Sequence, residues 1–183
     1  MAGSTTTVIV LLRGINVGGK NRLPMADLRA AAESAGYDDP TTYLQSGNLI
    51  VRGVATSKAG GVAGAIHDAV KVSTGLDVPI ITRTVDAWQA IIDANPFPDA
   101  AADGTTLHLV VLDGKATAAT RNFEAAKFEP ERLGVSEREV YLLLPGGIGR
   151  SKLAAAVMRV DNAKSGTARN WKTVLALAEL ASD

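Results

Sequence analysis

The sequence predicts an α+β protein of two ferredoxin-like subdomains, each with the β-α-β-β-α-β plait order, the second incomplete and followed by a C-terminal helix. Three observations predict it. Strand-like runs such as TTTVIVLL alternate with segments whose apolar residues recur at helical spacing. The second and third of these runs are separated only by Ser46-Gly47-Asn48, hairpin chemistry that makes them antiparallel instead of linking them through a crossover. Beyond residue 84 the same succession recurs in outline, with no residue-level identity between the halves. Residues 1–84 are therefore expected to form one subdomain, and residues 85–183 a second that carries the last helix.

Taken in order, Thr5 to Leu12 is β-branched and apolar and reads as a buried strand. Pro24 suits the first turn of a helix, and Met25, Leu28, Ala32 and Ala35 continue it until Gly36. Two short strands, 41–45 and 49–52, should flank a tight turn at 46–48. Residues 58–74 place Val62, Ile66 and Val70 one turn apart, in a helix weakened by Gly60, Gly61 and Gly64. Val78 to Arg83 supplies another strand, and Pro79 near its start favours a sheet edge. The second half reads as a helix over 85–94, a strand over 106–112 and a short helix over 116–123. A weak strand over 127–133, a strong one over 139–144 and a helix over 151–157 follow, with the closing strand missing or remote. An amphipathic helix over 170–181 should bury Val174, Leu175, Ala178 and Leu180.

Composition bounds the chemistry. With 46% hydrophobic but only 4% aromatic residues, the core must be packed from aliphatic side chains. Nineteen basic and nineteen acidic residues give no global attraction to nucleic acid or membrane, so any electrostatic site has to be local. The absence of cysteine excludes disulfides, thiolate metal sites and a cysteine nucleophile. The apolar run Val8 to Leu12 is too short for a signal peptide or a membrane span, which makes a cytoplasmic monomer with no membrane association the expectation.

One stretch asks a chemical question. LRGINVGGKNR comes within a residue of the phosphate-loop pattern G-x-x-x-x-G-K-[ST]. Asn21 stands where that loop has its metal-holding hydroxyl, the next helix begins only near Pro24, and a hairpin follows instead of a parallel crossover. An anion-facing loop of another kind fits better. Arg13, Lys20 and Arg22 lie close together without an acid, and Gly14, Gly18 and Gly19 would let backbone amides approach a ligand. A purely structural glycine turn is the alternative. A second basic cluster, Arg150, Lys152, Arg159, Lys164, Arg169 and Lys172, faces Asp161 alone between residues 145 and 172, whereas residues 84–139 carry ten acids and five bases. Within it, PGGIGRSK should set Arg150, Ser151 and Lys152 at a helix start, where anions bind readily.

LLRGINVGGKNRLPM, TYLQSGN, ANPF, VYLLLPGGIGRSKL and ARNWKTV, in this order over most of the chain, resemble the bacterial family called domain of unknown function 1697 (DUF1697). The resemblance implies two plait-like α+β subdomains and no established activity. It marks Arg13, Gly14, Asn16, Gly18, Gly19 and Lys20 in the first loop and Gln45, Ser46, Gly47 and Asn48 in the hairpin. It further marks Gly147, Gly149, Arg150, Ser151 and Lys152, then Arg169, Asn170 and Trp171. Ala168 and Lys172 replace the threonine and asparagine that family members usually carry around Arg-Asn-Trp, so the resemblance assigns those two no role.

Catalytic side chains are not identifiable. His67 and His108 have no triad partner and no metal-ligand spacing, and read as structural. Ser46 and Ser151 fit a turn and a helix cap better than a nucleophile, and Trp171 fits a ring that pins the last helix better than one that stacks on a base. Neither metal nor cofactor is expected. The expected function is binding of an anionic, phosphate-bearing small molecule such as a nucleotide, in a basic, glycine-rich cleft between the halves. RNA binding through a plait sheet is the second reading, weakened because TTTVIVLL and LHLVVL offer no aromatic platform. An enzyme of unidentified reaction is the third.

Overall fold

The protein, described here from a computed structural model, is α+β and contains two four-stranded antiparallel sheets; residues 4–160 and 165–183 are described. Asp161 and Lys164 of the basic cluster lie outside those residues. Two compact units are present, Met1–Gln89 with Leu177–Asp183, and Ala90–Ala176. The boundary anticipated at residue 84 instead falls at 89, and the last seven residues return to the first unit.

In the first unit, β1 (Thr5–Leu12), β2 (Thr41–Tyr43), β3 (Asn48–Ala55) and β4 (Ile80–Thr84) form a sheet of order β2-β3-β1-β4. β1 is central, with Val10 opposite Leu49 on one side and Thr82 on the other. Its alternation sends Val8, Val10 and Leu12 into a core shared with Leu28 and Ala32 of α1 (Met25–Ser34) and Ile66 and Val70 of α2 (Val62–Thr74). Ile9 and Leu11, on the other face, are equally buried, which is why this strand is an uninterrupted apolar run. Pro79 precedes the edge strand β4, as its missing amide requires. Two local expectations change. Gly60 and Gly61 fall in a 3₁₀ turn before α2, so only Gly64 weakens the α-helix itself. The hairpin turn is Leu44–Gly47, and Asn48 already belongs to β3, because the side chain of Asn48 bonds back across the turn to Tyr43 O at 3.0 Å.

In the second unit, β5 (Leu107–Val111), β6 (Arg132–Val135), β7 (Glu139–Leu143) and β8 (Thr167–Asn170) give the order β6-β7-β5-β8. Val110, Leu112, Val140 and Leu142 pack with Leu153 and Val157 of α5 (Lys152–Val157). The second sheet is thus complete. Its closing strand, TARN, is four residues of mixed polarity, too short for alternation to show, and it runs directly into the final helix. The stretch expected as a strand over 127–133 is partly a 3₁₀ turn, Ala125–Phe128, with β6 starting at Arg132. Short helix α4 (Ala118–Arg121) is capped by Thr117 Oγ1, which accepts from Thr120 N. α3 (Val85–Asp93) follows β4, and α6 (Trp171–Ser182) follows β8. α6 buries Trp171, Val174, Leu177 and Ala181 and leaves Leu175 42% exposed, so its inward stripe is rotated from the one anticipated.

The correspondence between the sheets reaches individual residues. Ile9 of the central strand pairs with Arg83, and Leu109 of the other central strand pairs with Arg169. Both arginines are buried, and each donates Nη1 to the carbonyl just before it, Thr82 O at 2.9 Å and Ala168 O at 2.8 Å. The next residue caps the following helix in each case. Thr84 Oγ1 accepts from Ala87 N, and Asn170 Oδ1 accepts from Thr173 N. α3 and α6 each then carry one of the two tryptophans, Trp88 and Trp171, both buried. A likeness of role carried by one shared arginine leaves almost no trace in sequence.

Candidate functional site

In the first unit, the loop between β1 and α1 is folded on itself by two asparagines. Asn16 sits at φ 54°, its Nδ2 donating to Leu23 O (2.9 Å) and Gln45 O (2.7 Å) while its Oδ1 accepts from Leu23 N (2.9 Å). Asn21, at φ 48°, donates Nδ2 to Gly14 O at 3.0 Å. Asparagine tolerates the left-handed region better than most residues, which explains its use at both corners. The tip is a tight turn in which Lys20 N donates to Val17 O and Gly18 and Gly19 both have positive φ, the sign pattern of a hairpin turn. Thus the glycines serve the turn, the antiparallel sheet provides no parallel crossover, and the helix starts only at Met25. A hydrolysing phosphate loop is not what this segment forms.

The hairpin motif is mostly structural. Gly47 is buried at φ 75°, and a Cβ there would lie 2.8 Å from Leu12 Cβ and from Ile15 Cδ1. Leu12 N donates to Gly47 O, tying the turn to β1. Asn48 is fully buried and also bonds Ser46 Oγ at 2.9 Å. Asn16 and Asn48 are therefore positioning residues, whereas Gly14, Gly18, Gly19, Lys20 and Gln45 are exposed and Arg13 half-exposed.

In the second unit, PGGIGRSK turns sharply after β7. Gly147 has φ 76° and ψ 160°, a backbone state essentially reserved for glycine. Ser151 is buried and caps α5, its Oγ accepting from Ala154 N at 2.8 Å. The adjacent Leu153 amide is taken by Glu131 Oε2 at 2.9 Å, so the protein's own carboxylate occupies the helix-start position anticipated for an external anion. Arg150, Lys152 and Gly149 remain exposed. Arg150 and Lys152 border a cavity of about 380 Å³ with Lys127, Phe128, Glu129 and Glu131. Lys127 is ion-paired to Glu124; among the described residues Arg150 and Lys152 form no ion pair. Phe128 is held from one side by Phe123, ring centroids 5.8 Å apart.

Arg169 and Trp171 do not present themselves to a ligand, whereas Asn170 between them is exposed, with its Oδ1 accepting from Thr173 N. Arg169 is 8% exposed, donates to Thr167 Oγ1 at 2.7 Å, and is pulled by burial to about 10, still far above neutrality, so it stays cationic. Trp171 is 1% exposed and lies tilted against Tyr141, whose hydroxyl donates to Ile91 O at 2.8 Å. Burial pushes that phenol up to about 12. The pinning role of the ring is the one the geometry supports.

The family model described as protein of unknown function (DUF1697) matches residues 5–141, about three quarters of the chain. The chain belongs to the DUF1697 family. No curated protein matches it. Among solved structures, the DUF1697 chain resembles the conserved bacterial protein SP0830 from Streptococcus pneumoniae, with a TM-score of 0.74 at 17% identity over 97% of this chain and 99% of that one. At that identity the likeness concerns fold alone.

Two histidines of this DUF1697 protein were expected to be structural. His67 on α2 bridges Asp68 (3.1 Å) and Asp77 (2.9 Å), and Lys71 Nζ meets the other Asp77 oxygen at 2.6 Å. Its pKa is raised, chiefly by the bond to Asp77. His108 is buried in β5, its Nδ1 without a hydrogen-bond partner among the described residues, and burial lowers its pKa. No group of three or more His, Cys, Asp or Glu that could hold a metal occurs among the described residues. No helix there is long and apolar enough to cross a membrane. The cavity residues Phe128, Glu129 and Glu131 carried no signal in the sequence, since their place beside Arg150 arises only when the 3₁₀ turn folds against the loop after β7.

Proposed function

We propose that this protein binds a small anionic, phosphate-bearing ligand such as a nucleotide, and that the cavity beside Arg150 and Lys152 receives it. The observation that carries the reading is Arg150 itself, an exposed guanidinium with no ion pair among the described residues, bordering a cavity of about 380 Å³ together with Lys152 and the Phe128 ring. Guanidinium offers a phosphate two parallel donors, an ammonium adds a point charge, and an aromatic edge supplies apolar contact for a planar group. The reading of each unit as a ferredoxin-like plait goes with it: the sheet orders β2-β3-β1-β4 and β6-β7-β5-β8 support that assignment. RNA binding on a plait sheet is disfavoured, because all five residues of β5 are buried.

A thermal-shift screen of phosphorylated metabolites tests the proposal. A ligand at about 100 times its Kd stabilises by roughly 2.7 kcal/mol, which is a shift of about 5–10 °C in a chain of this size. Arg150→Ala should abolish the shift while leaving the unliganded melting temperature nearly unchanged, since an exposed unpaired side chain contributes within about 0.5 kcal/mol. A shift that survives Arg150→Ala and Lys152→Ala would place the ligand elsewhere and sink this reading.

A further inference from the structure

The first unit carries a second, separate concentration of unclaimed chemistry. Residues 16–22 are all exposed, as are Leu44, Gln45 and Ser46, and the 2.7 Å bond from Asn16 Nδ2 to Gln45 O fastens the two loops together. On this braced surface stand Arg13, Lys20 and Arg22, whose side chains form no ion pair or hydrogen bond among the described residues. The chain has no acid before Asp27. The Gly18 and Gly19 amides donate to nothing among the described residues, and the space around both α-carbons is open. Two aliphatic side chains are exposed on these loops, Val17 at 67% and Leu44 at 56%. Leu44 moreover holds φ 56°, a conformation that disfavours a side chain of its size and that glycine or asparagine would adopt at less cost.

We propose that these two loops form a docking surface for the backbone of single-stranded nucleic acid. A row of phosphates accounts for three unpaired cations in a stretch without acids, and for amides that no carbonyl claims. Val17 and Leu44 supply apolar contact for sugar and base faces, and the carboxamide of Gln45 can hydrogen-bond a phosphate or sugar oxygen. A bilayer fits less well: Gln45, Ser46 and Asn21 share the tip with only two aliphatics and would have to be desolvated with them. Without an aromatic platform the binding is weak and tolerant of sequence. This surface goes beyond the cavity ligand and uses none of its residues.

Fluorescence anisotropy of the full chain with labelled oligonucleotides of about a dozen nucleotides, RNA in one arm and DNA in another, tests it. With Z of about three phosphates, log K should fall against log salt with a slope of about −2, roughly a sixteen-fold loss from about 50 to 200 mM. Lys20→Ala and Arg22→Ala should each reduce that slope by about 0.7. The double charge reversal Lys20→Glu with Arg22→Glu should abolish binding at an unchanged melting temperature, and Arg150→Ala should leave it intact. Preference for the RNA arm would assign a role to the 2′-hydroxyl; equal binding would assign the backbone alone. The proposal is overturned by absence of binding at about 50 mM salt, by a slope that Lys20→Ala and Arg22→Ala do not change, or by capture on phosphatidylserine vesicles without oligonucleotide binding.

Discussion

Gly47 shows how one residue fixes a motif. Its φ of 75° and the two contacts at 2.8 Å that a Cβ would make, one of them to the inflexible Leu12 Cβ, leave no room for a side chain. Gly47→Ala should cost about 2–4 kcal/mol, combining left-handed strain with overpacking. Gly53, at φ 64° with open space around it, bears only the strain, so Gly53→Ala should cost about 1–2 kcal/mol. Chemical denaturation of the two variants measures the difference. His67 makes a prediction in pH. Its folded pKa is raised above 6.5 by Asp77 and Asp68, so the stabilisation is fully present below pH 6.5 and fades as pH rises through the raised value. NMR titration of the imidazole should find a pKa above 6.5 in the native chain, and Asp77→Asn should bring it back toward 6.5. A native value at or below 6.5 would contradict the geometry.

The strand-to-helix junctions are the elements on which both units turn. β8 passes into α6 without a loop, and Asn170 satisfies an amide of the new helix while closing the strand. Asn170→Ala should therefore cost about 1 kcal/mol and lower the melting temperature by about 2–4 °C, whereas Asn170→Asp should retain the cap. Calorimetry separates the two. The same junction explains why α6 was readable, its start falling within one residue of position 170, but the strand before it was not: Thr167 to Asn170 has no apolar period, and its strand character comes from pairing with Val111 to His108. Helix and strand bodies with several turns or residues of apolar repeat, such as α2 and β1, were legible because the burial pattern and the period coincide.

At the scale of the whole chain, the partition crosses two helices. α3 begins in the first unit and ends in the second, and α6 does the reverse. Leu177 and Ala181 are buried, and Arg52 of β3 donates to Leu180 O at 2.5 Å, so the C-terminal seven residues are part of the first unit. A fragment of residues 1–84 lacks them together with buried Trp88 and is expected to be molten, with weak near-ultraviolet circular dichroism. Deleting 177–183 from the full chain should speed amide exchange in β3 ahead of β7. Equal protection of the two strands would contradict this assignment.

The sequence by itself determined the α+β class, the antiparallel hairpin, most helices and strands, the absence of thiol chemistry and the family, because each rests on local spacing or residue type. It also pointed to the exposed cations Lys20, Arg150 and Lys152. Only the tertiary structure separated those from their neighbours. Asn16, Asn48 and Arg169 look like ligand-facing residues in a motif, yet their donors and acceptors are spent on the chain's own backbone and side chains, while Ser151 and Trp171 take the cap and core places that their residue types suggested. Glu131 reaching the Leu153 amide from 22 positions away decided that no external anion is needed at the start of α5. A motif records which side chains are present, but whether a polar group faces solvent or a partner depends on distant segments, and that is fixed only when they pack.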